Sequence, residues 1–264
     1  LAKAIKAQGS VASLQLHHAG NRSPKELVGD VVCPSDDPDT GARALTLAEV
    51  EQLRDDFIAG AKRAEKAGFD GVEVHGAHGY ILLQFLSPEI NKREDRYGGS
   101  LENRARLLFE IIDGIRAGCR PDFQIGLRLS PERFGVKLAE IREVAGKVLD
   151  MSLWDYAKEP VEDEFKGRTL MSYFTELPRG KVLLGAAGKI MSAADAVAVI
   201  EAGCDYVMIG RGAILRHDFP ERVRGDAGYV SPALPVTVAH LRAEGLGDEF
   251  VKYMQGWKGF VAEA

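Results

Sequence analysis

Cysteine is scarce in this sequence: Cys33, Cys119 and Cys204 are the three present, odd in number and far apart. That excludes a disulfide framework and a Cys-x-x-Cys metal or redox site, and it points to a reducing compartment. An excess of one charge is missing too, since 34 Lys and Arg stand against 39 Asp and Glu for a formal net charge of −5. Without a basic stripe, neither nucleic acid nor an anionic membrane is an expected partner. No apolar run approaches the ~18 residues that suggest a membrane span, and Leu1-Ala-Lys-Ala lacks the regions of a signal peptide. A cytoplasmic protein is therefore expected. Leu1 opens what reads as the end of a helix, so the chain is expected to begin inside a domain. There is no Walker pattern and no Gly-x-Gly-x-x-Gly, which leaves a nucleoside triphosphate or a Rossmann-bound dinucleotide unsupported. What is there, 45% hydrophobic and 28% charged residues over 264 positions, is globular composition with material for a sizeable core.

Strand-like and helix-like segments alternate along the chain. Val11–Leu16, Gly71–His75, Phe123–Leu129, Leu149–Trp154, Lys181–Gly185 and Asp205–Ile209 read as six strands. Between them, helices are expected from Thr46 (a capping box with Glu49) to Gly68, from Ser100 to Gly118, over Leu138–Val148 and over Ser192–Ala202. The tail after Pro232 looks helical, and its Phe250, Tyr253, Trp257 and Phe260 are assigned to core packing. This alternation implies parallel strands joined by right-handed crossovers. A (β/α)8 TIM barrel needs eight such units of roughly 31 residues, so an α/β barrel lacking its first one or two units is the expected fold. An open doubly wound sheet competes with it, but the Gly-rich turn that should follow its first strand is not there. The long loops Leu16–Leu45 and Gly76–Gly99 both follow strands, on the carboxyl face where barrel enzymes carry their chemistry.

Three groups of residues could carry that chemistry. His75, His78 and Tyr80 share one turn at a strand end, which suits hydrogen bonding to a developing oxyanion with a phenol as proton donor. Structural satisfaction of the His pair, or metal binding together with His17 and His18, are the competing readings, although carboxylate ligands at fitting spacing are not evident. Gln15 and Arg128 each interrupt an apolar strand, either to face a polar heteroaromatic ring or, more plainly, for Arg128 to pair with Glu73 and Gln15 to cap a loop. Gly185-Ala-Ala-Gly188-Lys189 and Gly210-Arg211-Gly212 follow the last two strands, where barrels often build a phosphate site. The charged stretch from Asn91 to Arg104 reads as ion pairs pinning a long loop.

VEVHGAHGYILLQFLSP together with NKREDRYGGSLENR resembles the hallmark stretch of the Old Yellow Enzyme family, the NADH:flavin oxidoreductases or FMN-dependent ene-reductases. LQLHHAG, LRLSPERFG, SLWDYAKEP, LLGAAGKI and DYVMIGRGAIL extend the likeness in order over about Gly9 to Pro220. The resemblance implies one FMN-binding TIM-barrel domain over residues 1–264, N-terminally incomplete, with non-covalent FMN and NAD(P)H as reductant. It implies that His75 and His78 bind the carbonyl or nitro oxygen of a small electron-poor alkene and that Tyr80 donates the proton. It assigns Gln15 and Arg128 to the isoalloxazine ring, Gly188, Gly210 and Arg211 to the FMN phosphate, and Ala187 and Lys189 to the same loop; no metal is implied. A homo-oligomer is left open. The alternative from another class is a non-catalytic or impaired barrel that binds flavin or a phosphorylated ligand without turnover, and a weaker third is a metal-dependent hydrolase built on the four histidines.

Overall fold

A computed structural model describes residues 1–146, 151–152 and 155–262 of the chain. It divides into two compact units, one formed by Leu1–Ser152, Pro160–Lys166 and Leu177–Val182, the other by Leu153–Glu159, Gly167–Glu176 and Leu183–Ala264.

The first unit is built on parallel strands. These are β1 (Ser13–Leu16), β4 (Gly71–Gly76), β5 (Gln124–Leu129) and β6 (Met151–Ser152), while β2 (Val32–Cys33) and β3 (Arg43–Ala44) form a short ladder of their own. β4 lies between β1 and β5, with Gln15 opposite Glu73 and His75 opposite Arg128. Side chains alternate across a strand, so Val72, Val74, Leu127 and Leu129, all buried, share one face. Gln15, Glu73, His75 and Arg128 share the other. Helices Leu47–Lys66 and Leu101–Gly118 supply much of the apolar layer, through Val50, Leu53, Phe57, Ala61 and Ala64 on the first and Leu107, Leu108, Ile111, Ile112 and Ile115 on the second. Each Val, Leu, Ile or Phe side chain so buried contributes about 1.5–3 kcal/mol. The first helix starts at the expected capping box, Thr46 accepting from the Glu49 amide at 3.2 Å while Glu49 accepts from the Thr46 amide at 2.8 Å. The helices approach closely at Gly114, where a Cβ would stand 2.2 Å from Ile58.

Two expectations change here. The Gly76–Gly99 segment contains a helix, Ile81–Leu86, with every residue buried. It is short and buried on every side, its one polar residue Gln84 included, so no amphipathic period marks it. The helix expected over Leu138–Val148 is Leu138–Ala145, with Gly146 at its C-cap. Of the strand expected over Leu149–Trp154, Met151–Ser152 is strand paired with Leu129, and the rest lies outside the described residues.

The charged stretch after the Ile81–Leu86 helix is pinned as its composition suggested. Asn91 donates to the carbonyls of Phe85 and Tyr97, both at 2.8 Å. Arg93 bonds the Pro34 carbonyl at 2.9 Å and pairs with Asp95. Arg104, only 4% exposed, pairs with Glu140 at 2.7 Å and donates to the carbonyls of Leu86 and Gly99.

In the second unit β7 (Gly185–Ala187) runs parallel to β8 (Tyr206–Met208), with Ala187 opposite Met208. The strand expected over Lys181–Gly185 is thus displaced toward the carboxyl side. At the start of this strand only glycine fits, because a Cβ on Gly185 would run into the Tyr206 ring of β8. Val182 and Leu183, which carry the stronger strand propensity, lie outside it and are exposed. Helix Arg211–Leu215 follows β8, and helices Val238–Ala243 and Asp248–Gln255 form the tail. The tail closes a small core of Leu215, Val236, Leu241, Val251, Met254 and Phe260. Polar contacts join the same parts: His240 Nε2 lies 2.8 Å from the Leu215 carbonyl, and buried Glu244 accepts from Arg216 and from the His217 amide, both at 3.0 Å. Of the four aromatics assigned to the core only Phe260 is buried; Phe250 and Tyr253 in the last helix and Trp257 just past its end stay exposed. Among the described residues no helix is long and apolar enough to cross a membrane.

Arg104→Leu is expected to destabilise the first unit by about 2–4 kcal/mol, because it strands Glu140 and two carbonyls. Urea unfolding followed by circular dichroism measures this, with a lowered midpoint and an unchanged slope expected.

Candidate active site

The turn that ends β4 gathers the first set of expected residues. His75 is its fifth residue and is 3% exposed; the chain then passes through Ala77 to His78 and Gly79, both in left-handed backbone at φ 59° and 75°. His78 is held there by its amide, which donates to Ser130 Oγ at 2.9 Å. A Cβ on Gly79 would stand 2.7 Å from the Phe134 ring, so the turn needs glycine both for its backbone and for space. Tyr80 then caps the buried Ile81–Leu86 helix.

This backbone brings four rings together. The His75 and His78 centroids are 5.1 Å apart, and Tyr80 lies 5.4 Å from His75 and 6.5 Å from His78. His17, just past β1, joins them edge-on to Tyr80 at 4.3 Å and at 5.4 Å from His75. His18 turns into the loop instead, its Nδ1 accepting from the Gly20 amide at 3.0 Å. Among the described residues no group of three His, Cys, Asp or Glu side chains is arranged to hold a metal ion.

Burial sets the charge of the cluster. It pushes the His75 imidazole down to about 3, with His78, Arg128 and His17 adding to the effect. It pushes His78 down to about 4, helped by Arg128 and Arg22 and opposed by Glu73. Burial lowers His17 and His18 as well. Both turn imidazoles are therefore neutral hydrogen-bonding groups at physiological pH. His75 Nδ1 is buried without a hydrogen-bond partner, a state that costs about 1–3 kcal/mol and suits a ligand atom.

Gln15 and Arg128 reach the same face through the sheet register. Gln15 donates to Glu73, so the plainer alternative, Gln15 capping a loop, does not describe it. Sequence reasoning missed several members of the site. Buried Gln84 donates to Asn21 Oδ1 at 2.6 Å and to the Gly79 carbonyl at 2.8 Å, tying the loop after β1 to the turn. Arg22 lies over the Tyr80 ring at 4.9 Å and donates to the His78 carbonyl. Ser130 and Phe134 were not singled out either. The polar Ser130 closing an apolar strand was the one available signal.

The phosphate set lies in the second unit. Ala187 is the last residue of β7 rather than part of the loop, which starts at Gly188. Because β7 and β8 are paired in parallel, Gly188 and Gly210 leave adjacent strands at the same end. Lys189 stands in left-handed backbone at φ 52° and pairs with Asp155 at 2.7 Å. The Gly188 carbonyl accepts from the Tyr156 amide at 3.2 Å. Gly210 has open space where a Cβ would project, and Arg211 begins the helix that follows.

One unit thus carries a neutral imidazole pair beside a phenol, and the other carries paired glycine-rich strand ends followed by an arginine. Comparison with known proteins carries this to a family. Residues 1–227 match the NADH:flavin oxidoreductase / NADH oxidase family. A probable NADH-dependent flavin oxidoreductase of Bacillus subtilis is 41% identical over 243 residues, covering 85% of this chain and 65% of the relative. An NADH:fumarate oxidoreductase of Klebsiella pneumoniae is 34% identical over 247 residues, covering 84% of this chain and 27% of the relative. Morphinone reductase in complex with tetrahydroNAD superposes with a TM-score of 0.70 at 28% identity, covering 88% of this chain and 70% of the other. Old Yellow Enzyme from Pichia sp. AKU4542 gives 0.70 at 27% identity, covering 88% and 66%. The chain belongs to the NADH:flavin oxidoreductase / NADH oxidase family, whose cofactor is FMN and whose reductant is NAD(P)H. It spans just under two-thirds of the length of the Bacillus relative and about a quarter of the Klebsiella one.

The lowered imidazoles make a pH prediction. An unfolded histidine takes up its proton near 6.5, whereas His75 and His78 bind theirs only near 3 and 4. Between those values the unfolded state holds more protons, so this pair erodes stability as pH falls from about 6.5 toward 4. NMR of the imidazole C2 protons is expected to show no titration of either residue above pH 5; a midpoint near 6.5 would contradict the burial argument.

Proposed function

We propose that this chain forms the main part of an FMN-dependent (β/α)8 barrel oxidoreductase that reduces activated C=C bonds, as in α,β-unsaturated carbonyl or nitro compounds, at the expense of NAD(P)H. The observation that carries the reading is the pair of neutral imidazoles, His75 buried and His78 half-buried, with a phenol beside them. The superposition on the morphinone reductase chain supports the barrel.

The residues fit the cofactor. His75 Nδ1 is a buried polar atom without a partner on the polar face of the sheet, and the open space at Gly210 lets backbone amides approach an anion. Gln15 and Arg128 would bind the isoalloxazine ring, with the guanidinium favouring negative charge on it. Gly188, Gly210 and Arg211 would hold the phosphate, with Ala187 and Lys189 beside them. When bound, FMN supplies the hydride-transfer chemistry between NAD(P)H and the acceptor.

The chain's own side chains would do the rest. His75 and His78 donate to the carbonyl or nitro oxygen of the acceptor and stabilise the negative charge that gathers there, more strongly for being shielded from water. Neutral imidazole suits this task because it stays a donor without leaving a buried cation in the empty site. The Tyr80 hydroxyl gives its proton to the carbon next to the activating group. Burial of the turn limits competing proton exchange with water.

Purified protein extended to the full length of its gene is expected to take up FMN and to oxidise NAD(P)H in response to cyclohexenone under anaerobic conditions. Tyr80→Phe should slow that turnover about 10²-fold or more, and His75→Ala with His78→Ala a further ~10²-fold, with FMN affinity in both read by fluorescence quenching. FMN uptake with no acceptor-dependent turnover would leave a binding protein, and turnover with dioxygen alone would make the chain an oxidase.

A further inference from the structure

Arg22 stands out among the charged groups of the site. It belongs to the one-turn helix Gly20–Arg22 in the loop after β1, and its side chain is exposed. Its guanidinium lies 4.9 Å from the Tyr80 ring centroid and donates to the His78 carbonyl, so it sits against both the proton donor and one member of the imidazole pair. Its positive charge reaches His78, where it helps hold the imidazole neutral. The other charges nearby are committed. Glu73 accepts from Gln15, and Asp37 accepts from Asn21 at 2.8 Å and from the Thr40 hydroxyl at 2.8 Å. Among the described residues no carboxylate lies within ion-pair distance of Arg22. A guanidinium has five N–H donors in a planar fork matched to carboxylate, and here one acceptor, a carbonyl, is engaged. Its place is fixed by stacking and by that carbonyl, which leaves the remaining donors available to a ligand.

We propose that Arg22 is an anion-recognition residue and that the acceptors preferred by this site are activated alkenes bearing a carboxylate in addition to the carbonyl that the imidazole pair would hold. The inference rests on the alkene-reductase reading above and extends it from an activating group to a second, charged handle. A short acceptor such as 4-oxopent-2-enoate carries both groups, with its ketone oxygen for the imidazoles and its carboxylate for Arg22. Its methyl ester has the same frame and no charge.

The test compares these two compounds in the full-length, FMN-loaded protein and in Arg22→Gln and Arg22→Lys. The ester is intrinsically the more reactive alkene, so the quantity to read is the ratio of kcat/KM for acid over ester, which cancels reactivity between variants. Loss of a charge-assisted, bidentate contact is expected to lower that ratio about tenfold to a hundredfold in Arg22→Gln, with partial retention in Arg22→Lys. The ratio in the parent protein is also expected to fall as salt is raised. Equal losses for acid and ester would overturn the proposal, because they would make Arg22 a support for Tyr80. A loss that appears as a raised KM for NAD(P)H with the neutral acceptor would overturn it as well, by assigning Arg22 to the coenzyme's phosphates.

A readout without turnover separates this proposal from the one beneath it. Levulinate, the saturated counterpart of the acid, and methyl levulinate are titrated into the protein while the His78 C2 proton is followed by NMR. Tighter binding of levulinate that disappears in Arg22→Gln supports the anion site even if no alkene is reduced. Reduction of the ester with no preference for levulinate would retain the reductase and remove the anion site. Arg22 is exposed, so both variants should fold, and thermal melts confirm it.

Discussion

Register between three parallel strands is the constraint on which the first unit's chemistry depends. With Gln15 opposite Glu73 and His75 opposite Arg128, every polar group that interrupts these apolar strands falls on one face, and Val72, Val74, Leu127 and Leu129 fall on the other. A slip of one residue would drive the carboxylate, guanidinium and imidazole into the helix layer and expose the aliphatic side chains. The burial of those aliphatics therefore fixes where the histidines stand. The same packing that stabilises the unit aims its polar groups.

That arrangement holds polar atoms out of water. His75 is almost fully buried with an unsatisfied nitrogen, and His78 occupies left-handed backbone that a non-glycine residue adopts at some cost. Both conditions persist because the surroundings over-determine them: Ser130 fixes the His78 amide, Phe134 covers Gly79, and buried Gln84 ties the turn to the loop after β1. Because burial keeps the imidazoles neutral, the turn carries no buried positive charge of its own. The formal cations at its edge are the arginines Arg22 and Arg128.

Much of this was legible in the amino-acid order, for physical reasons that differ by element. The capped helix beginning at Leu47 announced itself because Thr46 and Glu49 sit in a local pattern that satisfies backbone groups whatever the tertiary context. The His75, His78 and Tyr80 turn was legible because a strand end followed by closely spaced glycines has few ways to fold. Gly185–Ala187 was misplaced because its strand state comes from pairing with β8, a long-range contact, whereas local propensity favoured Val182 and Leu183. Helix Ile81–Leu86 was hidden for a related reason, since a helix buried on every side has no polar stripe to mark its period. Arg22 could not be found at all from sequence. Its significance lies in a contact 58 positions away, between a guanidinium in one loop and a phenol in another.

The grip of the tail on the helix after β8 bears on how the chain is made. The Leu215 carbonyl, the Arg216 guanidinium and the His217 amide find their partners on His240 and Glu244, and Leu215 completes its core only with Val251, Met254 and Phe260. During vectorial synthesis the ribosome presents Gly210 and Arg211 well before any of those partners has left the exit tunnel. The glycine-rich end of β8 is thus anchored late, once the tail has emerged.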